Sequence, residues 1–317
     1  MKKLKRLTIL FRIVSVLVLM LYLWFPAIGQ QTNIPRVSLM PDYPEPYNMR
    51  LWKDVARGYD SLVFDQTLQG EYLPLVFFRE QSTNYPGFPS FGLHTAVGTN
   101  SPESGEAINV IPAVVGATLN GIDKTDQYGH NWVLMIQEYF NRRAQENIYL
   151  NHPYSSSGND WWYETMPNIF FMQLKFLYPE IEVFGEQLPV IANQWERAVR
   201  AMGGSDTPWE VPYMNYRAWN MEQMEPLDQG VPQPEAAGAI AWILYHAYRD
   251  TGDDRYLKGA EWAMEFLDQW SANPSYELQL PYGVYTAARM NAEVGTDYDV
   301  EKMINWVFNR GELRGWG

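Results

Sequence analysis

The stretch from Val231 to Trp270 is the most constraining in the chain, because it admits one local fold: two helices back to back. Pro232 and Pro234 close an irregular segment, and a proline is tolerated in a first helical turn because its missing N–H would be unpaired there anyway. From Ala236 to Tyr245 no residue is charged. A helix apolar on every side is buried on every side. Thr251-Gly252-Asp253 then supplies a glycine C-cap followed by an aspartate N-cap. In the second helix Asp254, Lys258, Glu261, Glu265 and Asp268 recur at intervals of four, three, four and three. They draw one solvated stripe, opposite Tyr256, Leu257, Ala260, Ala263, Leu267 and Trp270. The spacing predicts an inner helix and an outer one joined by a tight turn.

The same pairing is expected along the rest of the chain. Asn48 to Thr67 has helical spacing with charges between and reads as an outer helix. Gly70 to Pro102, rich in Pro, Gly and aromatics, reads as a long loop of the functional kind. Hairpins follow: Glu103–Asn120 with Asn131–Gln145, Asp160–Tyr178 with Glu180–Met202, the pair already described, and Pro281–Val294 with Asp299–Asn309. Short turns join partners, and longer loops join successive pairs. The fold class expected is therefore all-α, an α/α toroid of helical hairpins over 47–317, preceded by an extended lead-in over 30–46.

Met1 to Gly29 has the pattern of a secretory signal. Lys2, Lys3, Lys5, Arg6 and Arg12 are followed by an apolar run and by Ala27-Ile28-Gly29, a small-x-small site that predicts Gln30 as the first mature residue. The apolar run is short for a membrane span. The expected address is periplasmic or extracellular, with no stable membrane association after cleavage. There is no cysteine, hence no disulfide framework. Loss of the signal leaves 19 basic residues against 37 acidic ones, a balance that argues against nucleic acid or an anionic membrane as partner. The 13 Trp and 21 Tyr exceed what a core of this size needs. Flat rings stack on the C–H faces of pyranoses, so an oligo- or polysaccharide is the partner expected.

The segment AYRDTGDDRYLKGAEWAMEFL, Ala247 to Leu267, resembles the hairpin signature of the six-hairpin glycosidase superfamily. WWYETMP, Trp161 to Pro167, and LPYGVYTAARMNAE, Leu280 to Glu293, are similar in texture to secreted bacterial toroids acting on uronic-acid-containing glycans. The resemblance implies a ring of twelve helices. About nine are legible here, so an incomplete copy of such a ring is expected, in which the Pro281–Asn309 pair and the Asn48–Thr67 helix do not meet.

In such a ring the inner-helix N-termini face one cleft, and the sequence puts carboxylates there: Glu103 and Glu106, Asp160 and Glu164, Asp228 and Glu235. Glycoside hydrolysis needs two carboxyls across the scissile bond, one protonated and one ionised. The bland alternative is that each is a helix cap, stabilising by about 0.5–2 kcal/mol. Asp160 and Glu164 lie one turn apart beside Trp161 and Trp162, whose apolar surface would keep an acid protonated. Asp160, Glu164, Asp228 and Glu235 are the catalytic candidates, with Trp161, Trp162, Tyr282, Tyr285, Arg289 and His152 as substrate-binding candidates. Tyr282, Tyr285 and Arg289 share a helix face and suit either a uronate-binding hydrolase or a lyase, in which His152 would be a base. The alternative for them is an aromatic core stripe. His94, His130, His152 and His246 have no metal-ligand spacing, and His246 reads as a core histidine. No cofactor or metal is expected: there is no phosphate-binding glycine loop and no GxSxG elbow. Hydrolysis leads, with β-elimination by a lyase or an inactive glycan-binding protein as alternatives.

Overall fold

The computed structural model describes residues 32–39, 46, 48–94, 105–142 and 145–312. The signal-like segment, the proposed cleavage site and Glu103 lie outside them. Two compact units are distinguished, Met1–Pro35 and Arg36–Gly317, and everything below concerns the second.

The chain runs α1 (Trp52–Phe64), β1 (Val76–Arg79), β2 (Ser90–Leu93), α2 (Ala107–Leu119), a single turn α3 (Trp132–Met135) continued as a 3-10 turn, β3 (Phe140–Asn141) and β4 (Ile148–Tyr149). Then come α4 (Trp161–Leu177), α5 (Glu182–Ala201), β5 (Ser205–Asp206), β6 (Trp209–Glu210), β7 (Ala218–Asn220) and β8 (Glu225–Leu227). Last are α6 (Ala236–Thr251), α7 (Asp254–Gln269), α8 (Gln279–Glu293) and α9 (Val300–Val307).

The expectation of an all-α toroid is overturned. The architecture is mixed α/β, with four two-stranded antiparallel sheets among the described residues. One of them lies inside the segment expected to be structureless: Val76 pairs with Leu93 and Arg79 with Ser90. Another cuts short the helix expected over Asn131–Gln145, which runs as α and then 3-10 turns only to Tyr139, because Phe140 and Asn141 pair with Tyr149 and Ile148. Short aromatic and β-branched runs such as VFFR and IY favour a half-buried pleated surface, and they are too brief to show a helical period.

Four long helices lie parallel, in the order α2, α4, α6, α8. Their last turns touch: Thr118 Oγ1 is 2.9 Å from the Tyr178 hydroxyl, Lys175 Nζ reaches Asp250 at 2.5 Å, and the Tyr245 hydroxyl donates to Glu293 at 2.7 Å. Their starts are also joined. Gln233, just before α6, donates to Asp160 at 3.1 Å, and Gln279 of α8 donates to Gln233 at 3.4 Å. Between α6 and α8 the backbones nearly meet. A Cβ built on Gly238 would fall 2.7 Å from the Gly283 Cα, which only glycine permits. Helices α5 and α7 return antiparallel behind the row. The tight turn between α6 and α7 uses Gly252 at φ +72°, with Asp253 accepting from the Arg255 N–H at 3.0 Å. No charge occurs among the first ten residues of α6, and every one is buried, so this helix forms the centre of the core.

Candidate functional site

At the starts of the parallel helices the loops carry most of the molecule's polar surface that faces one place. Asp160 caps α4, accepting from the Trp162 N–H at 3.0 Å. The same carboxylate is ion-paired with Arg217 and accepts from Gln233. Arg217 arrives from the start of the β7–β8 hairpin, where its own N–H donates to the Leu227 carbonyl. Glu277 approaches from the loop before α8. Its carboxyl is pushed up, first by burial and then by Asp160, with Arg217 opposing. It makes no hydrogen bond or ion pair among the described residues. Tyr163 stands amid these groups. Burial raises its phenol, and the carboxylates of Glu106, Asp160 and Glu277 raise it further, while Arg217 pulls it down.

Glu106 flanks this cluster at the start of α2, held by Asn109 at 3.1 Å and Asn151 at 2.8 Å. His152 is next to it, half-buried and stacked on Tyr154 at 5.8 Å. Burial lowers the His152 pKa, against the pull of Glu106 and of the Gly105 carbonyl. Three buried polar atoms have no hydrogen-bond partner among the described residues here: Arg217 Nη1, Gln279 Oε1 and His152 Nδ1. Buried polar atoms are nearly always satisfied, so these three atoms set this end of the row apart.

The other sequence candidates lie elsewhere. Glu164 is 1% exposed and accepts main-chain N–H groups from Gly158 (2.6 Å), Asn159 (2.8 Å), Asp160 (3.3 Å) and Trp219 (3.2 Å). Burial pushes its carboxyl up to about 8, while all four donors pull it down. Glu164 therefore ties the loop before α4 to β7. Glu235 is fully buried at the start of α6, and Asp228 is exposed beyond β8. Trp161 is fully buried, its indole donating to the Tyr216 carbonyl at 3.0 Å and its ring 6.1 Å from Trp195. Trp162 is half-buried against the core. Thus Asp160, with Glu106 and His152 nearby, belongs to the rim; Glu164, Glu235 and Trp161 lie beneath it.

Further along the row is a cavity of about 340 Å³, lined by Gln173, Trp242, Pro281, Tyr282 and Tyr285. Arg289 is behind Tyr285, donating to its hydroxyl at 3.2 Å and to Glu293 at 2.6 and 2.8 Å.

Sequence reasoning missed Arg217, Tyr163 and Glu277. Arg217 lies in an irregular stretch that has no period to read. Glu277 was detectable: it precedes an inner helix as the other acids do, but α8 begins at Gln279, two residues before the expected Pro281. No group of His, Asp or Glu among the described residues has a metal-binding arrangement, and no described helix is long and apolar enough to cross a membrane. The chain matches no family model, no curated protein and no solved structure.

Proposed function

We propose that the protein is a secreted carbohydrate-active enzyme, a glycoside hydrolase whose acid is Glu277 and whose ionised partner is Asp160. One observation carries the reading. Two carboxyls of opposite circumstance face Tyr163: Asp160 in an ion pair with Arg217, and Glu277 unpaired, with its proton held more tightly by burial and by Asp160. A carboxyl whose proton is held by burial, beside one held in an ion pair, supplies the acid that glycoside hydrolysis needs. In the reaction Glu277 gives its proton to the glycosidic oxygen as the bond to the anomeric carbon breaks. Asp160 takes a proton from the attacking water, and proton exchange with solvent resets both. Arg217 fixes the orientation of Asp160 through their ion pair. Tyr163, 39% exposed, offers a ring face to a sugar. The hairpin signature at Ala247–Leu267, similar to that of six-hairpin glycosidases, supports the same substrate class.

The test is a panel of polysaccharides scored for new reducing ends and for unsaturated, ultraviolet-absorbing products. Reducing ends without unsaturation are expected, with turnover falling about 100-fold or more in Glu277→Gln, the usual scale for losing a general acid. Unsaturated products would favour a lyase working through His152 or Tyr163. Retention of oligosaccharide without turnover would make the chain a glycan-binding protein.

A further inference from the structure

We infer that the cavity between α4, α6 and α8 is a second carbohydrate site, built to hold an uncharged pyranose apart from the rim. Its walls are aromatic and mutually perpendicular. The Trp242 and Tyr282 rings are 5.6 Å apart at 78°, and Tyr285, 49% exposed, forms the open side. Perpendicular rings suit a pyranose, which has an apolar C–H face to stack and a hydroxyl-bearing edge to bond. The polar partners sit where that edge would lie. The Gln173 amide donates to the Tyr282 hydroxyl at 3.2 Å, and the Tyr285 hydroxyl accepts from Arg289 and so keeps its own proton to give. The volume is at the small end of ligand pockets, enough for one or two sugar rings.

Charge selects among ligands. Three aromatic rings also make a cage for a quaternary ammonium. Here a guanidinium already stands over the Tyr285 ring, with the Arg289 Cζ 5.6 Å from its centroid, and it repels a second cation. An anion is no better served. Arg289 is bound through two nitrogens to Glu293, which also holds Arg249 and the Tyr245 hydroxyl, so an anion in the cavity would have to compete with Glu293 for those donors. His246, stacked behind Trp242 at 4.0 Å, has a pKa pushed down to about 4, first by burial, and is neutral at physiological pH. A flat aromatic ligand would fill the walls but offer no acceptor to the phenol protons of Tyr282 and Tyr285, whose oxygens already accept from Gln173 and Arg289.

The cavity begins behind the rim at Pro281 and Tyr282 and extends down the row away from it. Tyr282 is one turn into α8, Trp242 nearly two turns into α6, and Gln173 more than three turns into α4. At 1.5 Å per residue Gln173 is about 20 Å along the helix axis from Asp160. The proposal stands whether or not the rim turns over glycan, since it concerns binding alone.

The experiment is saturation-transfer NMR and tryptophan fluorescence on the full chain. The probes are methyl glucoside, methyl galactoside, methyl xyloside and cellobiose, with glucuronate and choline as charged probes. At least one neutral glycoside should bind at millimolar concentration. Its affinity should fall tenfold or more in Tyr285→Ala and in Gln173→Ala, fall less in Tyr285→Phe, which keeps the ring and loses only the hydroxyl, and be unchanged in Glu277→Gln. Circular dichroism separates loss of the site from loss of the fold. Binding that survives Tyr285→Ala but fails in Glu277→Gln would move the sugar to the rim and overturn the assignment. So would preference for choline or glucuronate, or the absence of binding by every neutral probe. Loss of turnover in Glu277→Gln with pocket binding intact would leave both readings standing, each on its own measurement.

Discussion

The two ends of the parallel helices make opposite use of charge. At the C-terminal end the groups satisfy one another: Lys175 with Asp250, Arg249 and Arg289 with Glu293, Thr118 with Tyr178. At the N-terminal end Glu277 is unpaired, and Arg217, Gln279 and His152 each keep a buried atom without a partner. Carbonyls at helix ends attract Lys and Arg, so a self-contained ion-pair layer forms readily there. N-termini favour carboxylates, and several of them collected on one rim repel each other unless a cation or a proton intervenes. The contrast teaches that one end of the row closes its own charges while the other leaves polar groups without partners among the described residues.

Mutations can break that contrast. The largest effect expected is Glu277→Gln at the open end: turnover falls about 100-fold or more while urea-unfolding stability moves by less than about 0.5 kcal/mol. A stability loss with activity retained would make Glu277 a structural group and erase the distinction between the ends. In the first turn of α4, Glu164→Gln should do the reverse. The amide oxygen can keep the Gly158–Asp160 donors, but the new NH₂ then faces the Trp219 N–H. One buried donor is orphaned, at a cost of about 1–3 kcal/mol in the unfolding free energy.

Nearer the closed end, His246 links stability to pH. Its folded pKa lies below that of the unfolded chain, so the native state binds its proton later on acidification. The contribution is present above pH about 6.5 and is lost as pH falls toward about 4, on the order of 3 kcal/mol in all. His246→Phe keeps a ring on Trp242 and should flatten the difference between stabilities measured at pH 7 and pH 4.5. An unchanged slope would mean that His246 is charged in the native state. The smallest effect expected is Glu293→Gln, which weakens a part-exposed network by about 1 kcal/mol or less and leaves turnover on any glycan untouched. A loss of activity there would join the closed end to the catalytic machinery.

Where structure was local, the residues announced it. The α6–α7 hairpin was readable because its signals, a charge-free inner helix, Gly252, Asp253 and a 3–4 stripe of acids, all lie within a few residues of what they specify. The β-hairpins were not. Sheets of two to four residues per strand have no period long enough to read, and the turn between Phe140 and Ile148 depends on positive φ at Gln145 and Asn147. Candidate carboxylates could be found from their places before helices, but residue type could not sort them. Asp160 and Glu164 are one turn apart on one helix. The first reaches Arg217 and Gln233, and the second is swallowed by four main-chain donors, one of them from Trp219.

By itself, then, the sequence determined the long helices, which of them is innermost and where the tight turn falls, because each depends on periodicity, capping and burial preference along a short span; it did not determine the fold class, which the short sheets make mixed α/β. Tertiary structure alone decided which acids stay at the surface and which brace a loop, and it brought Arg217 to Asp160 and Glu277 beside both. It also closed the corner of Trp242, Tyr282 and Tyr285 around a cavity. Those outcomes depend on the low dielectric and the donors supplied by residues 50 or more positions away, which no local pattern encodes.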